Sequence, residues 1–141
     1  MTTIKITVKD IDMVDACRQL ADELELTFEP FEQGYRFMPE EIYAIDGILV
    51  TNEGNEWSFW READATSIED FLLMHITHRL ASELGAMLYY EWTSSGRFVE
   101  PTPEHFETFE DYADYVTRND EGIIKDTKKT WLYNHMKNAV R

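Results

Sequence analysis

A single cysteine, Cys17, leaves the 141-residue chain without the means to form an internal disulfide. There is no Asn-x-Ser/Thr sequon, and the start, MTTIKITVKD, lacks the apolar stretch of a secretory signal. A reducing, cytoplasmic location is therefore expected. No apolar run approaches the ~20 residues that span a bilayer, so no membrane association is expected either. Glycine is scarce, with six residues, and none falls in GxGxxG, GxxxxGK[ST] or GxSxG. That removes the usual phosphate cradles and the nucleophile elbow. HExxH, paired CxxC and the EF-hand loop are missing too. No catalytic residue, cofactor or metal is assigned, and an enzyme is not expected. Base is the scarcest chemistry. Thirteen Lys and Arg stand against 28 Asp and Glu, for a net charge of −15. Phosphates repel such a surface, which excludes direct nucleic-acid binding and anionic membranes, whereas a basic protein is the partner this sign permits.

What the chain does have is apolar and aromatic content, 43% and 13%, ample for a core and foreign to disordered sequences. Its length suits one domain, residues 1–141. Charge is distributed unevenly. Residues 123–141 hold Lys125, Lys128, Lys129, Lys137 and Arg141 against Asp126 alone, a charge of +4 that leaves −19 on the rest. A basic C-terminal helix over 123–141, docked on an acidic body, is the expectation.

Periodicity supplies the elements. TIKITVK alternates Ile4, Ile6 and Val8 with polar residues, a strand. Asp10 or Asp12 then caps a helix running to about Leu26, with Met13, Cys17, Leu20, Ala21 and Leu24 on one face. Cys17 is therefore a buried thiol. YRFM, EIYAI, ILVT and EWSFWR read as an antiparallel meander, with turns at Asp46-Gly47 and Asn52–Asn55. A second helix starts near Thr66 or Ser67, where Thr66 and Glu69 form a capping box, and ends at Gly85. MLYYEW and RFVE follow as strands, and Thr102-Pro103 opens a third helix. The sum is an α+β fold: a mainly antiparallel sheet of about five to six strands packed with about four helices.

Four features invite a functional reading. His75 and His78 lie off the apolar centre formed by Leu73, Ile76, Leu80 and Leu84, His75 nearly opposite it and His78 on its flank. Both are read as solvated, and with Cys17 on another helix they lack the three or four ligands a zinc site needs. Glu91, in an aromatic strand, is read as an edge or solvated residue. On a helix from Glu104 to Val116, Glu104, Glu107, Glu110, Asp111 and Asp114 share an arc of about 120°, opposite Phe106, Phe109, Tyr112, Ala113 and Val116. Finally, Trp57 and Phe59 alternate with Trp60, and Tyr90 and Trp92 with Tyr89, so an open sheet face would display aromatics of the kind that anchor interfaces. Trp60 is the first such anchor. The acidic arc and Trp60 together point to a small acidic protein-binding domain that masks a basic partner, of inhibitor, immunity or antitoxin type. A small enzyme or ligand-binding domain with a Glu/Tyr/His pocket, and a nucleic-acid mimic, are the alternatives. Oligomeric state is not legible.

Overall fold

A computed structural model of the chain describes residues 2–39, 47–62, 67–91, 96–108 and 110–112, and these residues define the architecture. In chain order the elements are β1 (Thr2–Thr7), α1 (Met13–Leu24), β2 (Leu26–Phe31), β3 (Gly34–Pro39), β4 (Ile48–Glu53), β5 (Glu56–Arg61), α2 (Ser67–Leu84), β6 (Leu88–Tyr90), β7 (Arg97–Val99) and a 3₁₀ turn, Pro103–His105. The strands form one antiparallel sheet in the order β2-β3-β4-β5-β1-β6-β7. The α+β class agrees with expectation but the counts differ. Seven strands replace five or six, and two α-helices with one 3₁₀ turn replace about four helices among the described residues.

The extra strand is β2, and the reason it escapes a reading by periodicity is local. Asp12 caps α1, its Oδ1 accepting from the Asp15 N–H at 3.0 Å. Glu25 ends the helix in the left-handed region, φ 59°. Leu26, expected as the last helical residue, instead begins β2. β2 carries Pro30, a residue that argues against a central strand, and β2 is accordingly an edge, paired only with β3. The β4–β5 hairpin turns at Gly54-Asn55, where Gly54 takes φ +61° at the first central position. The expected strand EIYAI lies outside the described residues, as do Trp92, Asp114 and the basic segment 123–141.

Strand alternation then sorts the side chains into two faces. Ile4, Ile6, Phe37, Ile48, Val50, Phe59, Leu88 and Tyr90 point to one side. There they share a single buried cluster with Met13, Cys17, Leu20, Ala21 and Leu24 of α1 and Phe71, Leu72, Leu73, Ile76, Leu80 and Ala81 of α2. Both helices therefore cover the same face of the sheet. At ~1.5–3 kcal/mol for each fully buried large apolar side chain, this face supplies the driving force for folding. α2 ends as expected: Gly85 has φ +66° and the Ala86 N–H returns to the Ala81 carbonyl at 2.9 Å. Its start differs. Thr66 is not among the described residues. Glu69 is 2% exposed, and its Oε2 accepts the Gly47 N–H at 3.2 Å, tying α2 to the approach of β4. No described helix is long and apolar enough to cross a membrane.

Cys17 lies at 0% exposure in the α1 stripe, and burial pushes its thiol up to about 12. The native protein should therefore resist thiol reagents at pH 8 and react stoichiometrically once unfolded in denaturant. Rapid labelling of the native protein would show that the α1 stripe is not core.

Candidate functional site

The segment expected to present an acidic helical face is built differently. Thr102 precedes the 3₁₀ turn with Pro103 in its first position, but no α-helix propagates from it. Bends occupy 106–108, and a new helical turn begins at Thr108, whose Oγ1 accepts from the Asp111 N–H and whose carbonyl accepts from the Tyr112 N–H, both at 3.1 Å. The break has a visible cause. In a continuous helix the Phe106 carbonyl would accept a backbone N–H four residues on. Instead it faces His75 Nδ1 at 2.5 Å.

That contact overturns the placement of the two histidines. His75 and His78 are each 1% exposed, not solvated. With Phe71 they recur at i, i+4 and i+7, a second stripe of α2, and segment 102–112 runs antiparallel along it. Thr102 meets His78, Phe106 lies between the two histidines, and Tyr112 meets Phe71. The wheel correctly puts His75 away from the sheet, but that side of the helix is covered as well. His78 Nδ1 accepts the Thr102 N–H at 3.0 Å, which makes Nε2 the protonated nitrogen that donates to the Tyr90 hydroxyl at 2.7 Å. His75 is the opposite tautomer: Nδ1–H donates to the Phe106 carbonyl, while Nε2 is buried without a hydrogen-bond partner. The Phe106 ring sits 4.5 Å from the His78 ring, centroid to centroid. Burial drives His75 down to about 4 and His78 to about 3, the latter helped by the nearby charge of His105. Among the described residues no three His, Cys, Asp or Glu side chains converge to hold a metal ion.

At the far end of the same stripe, Arg61 of β5 pairs with Asp70 of α2 through Nε and Oδ1. Burial raises the Asp70 carboxyl above its ordinary range, against the pull of Arg61. Burial and the Asp70 charge raise Tyr112. The Tyr112 ring lies 6.0 Å from that of Phe71, centroid to centroid, so ring packing holds the end of segment 102–112 as the histidines hold its beginning.

The predicted partner-binding residues are thus only partly brought together. Glu104, Glu107 and Glu110 are exposed and Asp111 is half-buried, all on the outside of segment 102–112, whose Phe106 and Tyr112 are buried beneath. Trp60 is elsewhere. It opposes Leu49 and Thr3 on the sheet face away from both helices, half-buried. The most exposed aromatic on that face is Phe98, at 69%, set edge-to-face on Tyr89 at 4.9 Å. Glu91 is exposed as expected and pairs with Lys5 at 3.4 Å, on the other side of which Glu56 stands at 3.2 Å. The hydrogen bond to Glu56 leads the causes that raise the Lys5 ammonium. No protein-family model matches this chain, nor does any curated protein or solved structure.

The histidine geometry has measurable consequences. Replacing His78 with Ala strands the Thr102 N–H, removes the donor to Tyr90 and opens space beside Phe106. A loss of about 2–4 kcal/mol is expected in denaturant unfolding, where an exposed histidine would cost under about 0.5. For acid, both folded-state values lie below the unfolded value of about 6.5, so the unfolded chain takes up protons first. Stability should be insensitive to these groups above about pH 6.5. Below that, each histidine should remove about 1.4 kcal/mol per pH unit, until the folded values near 4 and 3 are reached. The raised Asp70 acts with the opposite sign at the low end of this window. A stability profile flat from pH 7 to pH 5 would show that the imidazoles are not buried.

Proposed function

We propose that this protein is a small acidic binding domain that masks a basic protein partner, in the manner of an inhibitor, immunity protein or antitoxin. One observation carries the reading. Segment 102–112 turns its carboxylates outward while its apolar residues and backbone are fastened to α2. Acidic residues on a loose tail would be ordered only on binding, at an entropic cost; these are already held. Within a chain of charge −15, such a display raises the encounter rate with a cationic surface. Asp114, the fifth carboxylate of the expected arc, lies outside the described residues.

Trp60 enters this reading as a separate contact, since a partner resting on segment 102–112 touches it only by reaching around the sheet. The alternative of a Glu/Tyr/His ligand pocket gains little from the geometry. Both ring nitrogens of His78 are engaged within the fold, and the Tyr90 hydroxyl is one of their partners.

The test is capture on the immobilised full chain at low salt, elution by salt, and association kinetics with what is retained. A basic protein should be retained. Reversing Glu107 and Asp111 to Lys should slow its association severalfold at low ionic strength, the effect fading toward ~0.15 M salt where the Debye length is about 8 Å. Trp60→Ala should raise the dissociation rate with little salt dependence if the partner reaches that face. Unchanged association by the charge-reversed protein at low salt would remove the support for an acidic interface on this segment.

A further inference from the structure

We propose that His75 and His78 form a proton-operated latch: neutral, they hold the acidic segment 102–112 to α2, and protonated, they release it while the sheet and both helices remain folded. The latch stands on the hydrogen bonds themselves. Its meaning for partner binding rests on the proposed masking of a basic protein.

The two histidines oppose a proton in different ways. In His78 the incoming proton must take the Nδ1 lone pair, which already accepts the Thr102 N–H at 3.0 Å. Donor would then face donor, and the Tyr90 hydroxyl would still hold the other nitrogen. In His75 the Nδ1–H bond to the Phe106 carbonyl survives, but the proton adds to Nε2, which is buried and has no hydrogen-bond partner. The charged groups around the pair do not compensate. Arg79 of α2 and Glu23 of α1 act on His75 with opposite signs, and their heads are bound to each other at 2.6 Å. His105 of the 3₁₀ turn opposes a charge on His78. Farther along the stripe, Asp70 is engaged by Arg61 of β5, beside Tyr112. A released segment would expose both imidazoles to water and return them toward about 6.5.

Elsewhere among the described residues the fold is fastened differently. β1–β5 and β2–β3 each pair over six residues, and the α1 stripe holds no titratable group but the buried Cys17. Segment 102–112 is held instead through ring contacts and a few polar bonds. Between pH 6 and pH 4, each histidine should shift the latched-to-released ratio about tenfold per pH unit, so the pair gives roughly a hundredfold. The folded values of about 4 and about 3 set where this stops.

Amide hydrogen exchange on the full chain, corrected for intrinsic rates, reads this directly. Between pH 6 and pH 4 the Thr102, His105 and Phe106 amides should lose protection by roughly a hundredfold per pH unit, while Ile4, Ile6 and Phe59 stay protected. His78→Gln places a non-titrating acceptor and donor near Thr102 and Tyr90 and should reduce that dependence to about tenfold. If this variant does not fold, His75→Gln provides the same comparison from the other ring. Loss of protection in segment and sheet together, in one step, would overturn the latch, and so would an unchanged pH dependence in the glutamine variant. Neither result involves a partner. Where a basic protein has been captured, an affinity unaltered by release of the segment would overturn the link to binding alone.

Discussion

His78 joins two parts of the chain that nothing local in the sequence would bring together. One nitrogen takes the backbone N–H of Thr102, ahead of the 3₁₀ turn, and the other gives its proton to Tyr90 of β6. Only a neutral ring with one defined tautomer can do both. The Phe106 ring packs against it and the Phe106 carbonyl turns to His75, which stops the segment from continuing as a helix and keeps it flat on α2. The display of carboxylates on the outside follows from what is fastened on the inside. Removing water from two imidazoles is the cost of that arrangement, and the lowered proton affinities of both rings express it.

The acidic charge is tolerated because it is spread and wet. Asp15, Asp22, Glu23 and Glu25 stand on the outer side of α1 or at its end, with Glu104, Glu107 and Glu110 on another surface. The few bases are used as ties between elements: Arg79 joins α2 to Glu23 of α1, Arg61 joins β5 to Asp70 of α2, and Lys5 is shared by Glu56 and Glu91 across neighbouring strands. The more exposed of these pairs, those of Arg79 and Lys5, add little stability each. The ties do fix how the elements, and so the carboxylates they carry, are set relative to one another. Arg36 works similarly on the open face, bridging to Glu29 at 3.3 Å with its guanidinium 4.2 Å above the Phe31 ring.

Much of this architecture is legible in the sequence because it depends on short-range signals. The β1 alternation, the Asp12 cap, the Met13–Leu24 stripe, the β4–β5 turn and the Gly85 stop all follow from period and punctuation, and the two faces of β5 follow from the spacing of Trp57, Phe59 and Trp60. β2 is hidden by Pro30, which signals a break in a central strand and is harmless at an edge. The histidines are hidden for a different reason. A wheel that counts only aliphatics finds one buried stripe on α2, whereas the helix has two. The second is written in Phe71, His75 and His78, in a run from Phe71 to His78 with no charged residue, and histidine counts as polar until a partner is known. That partner lies twenty-four and thirty-one residues away, beyond the reach of any periodicity.

The separation of Trp60 from the acidic segment bears on what kind of binding such a fold can support. Steering depends on field and tolerates distance, so carboxylates on segment 102–112 and on α1 act on an approaching cation together. An aromatic anchor acts only in contact, within a desolvated patch. The sheet face carrying Trp60, Tyr89 and Phe98 also carries Lys5 and Arg36, both already paired with carboxylates, so a partner resting there would have to displace or share those ion pairs. On segment 102–112 the outward groups, Glu104 and Glu107 among them, are carboxylates, while the Phe106 and Tyr112 rings face inward. A cationic partner would therefore compete with ion pairs already formed on the sheet face, and would meet outward carboxylates on the segment. That is the physical reason the proposed recognition is sought on the segment, with the sheet face as a contact of second rank.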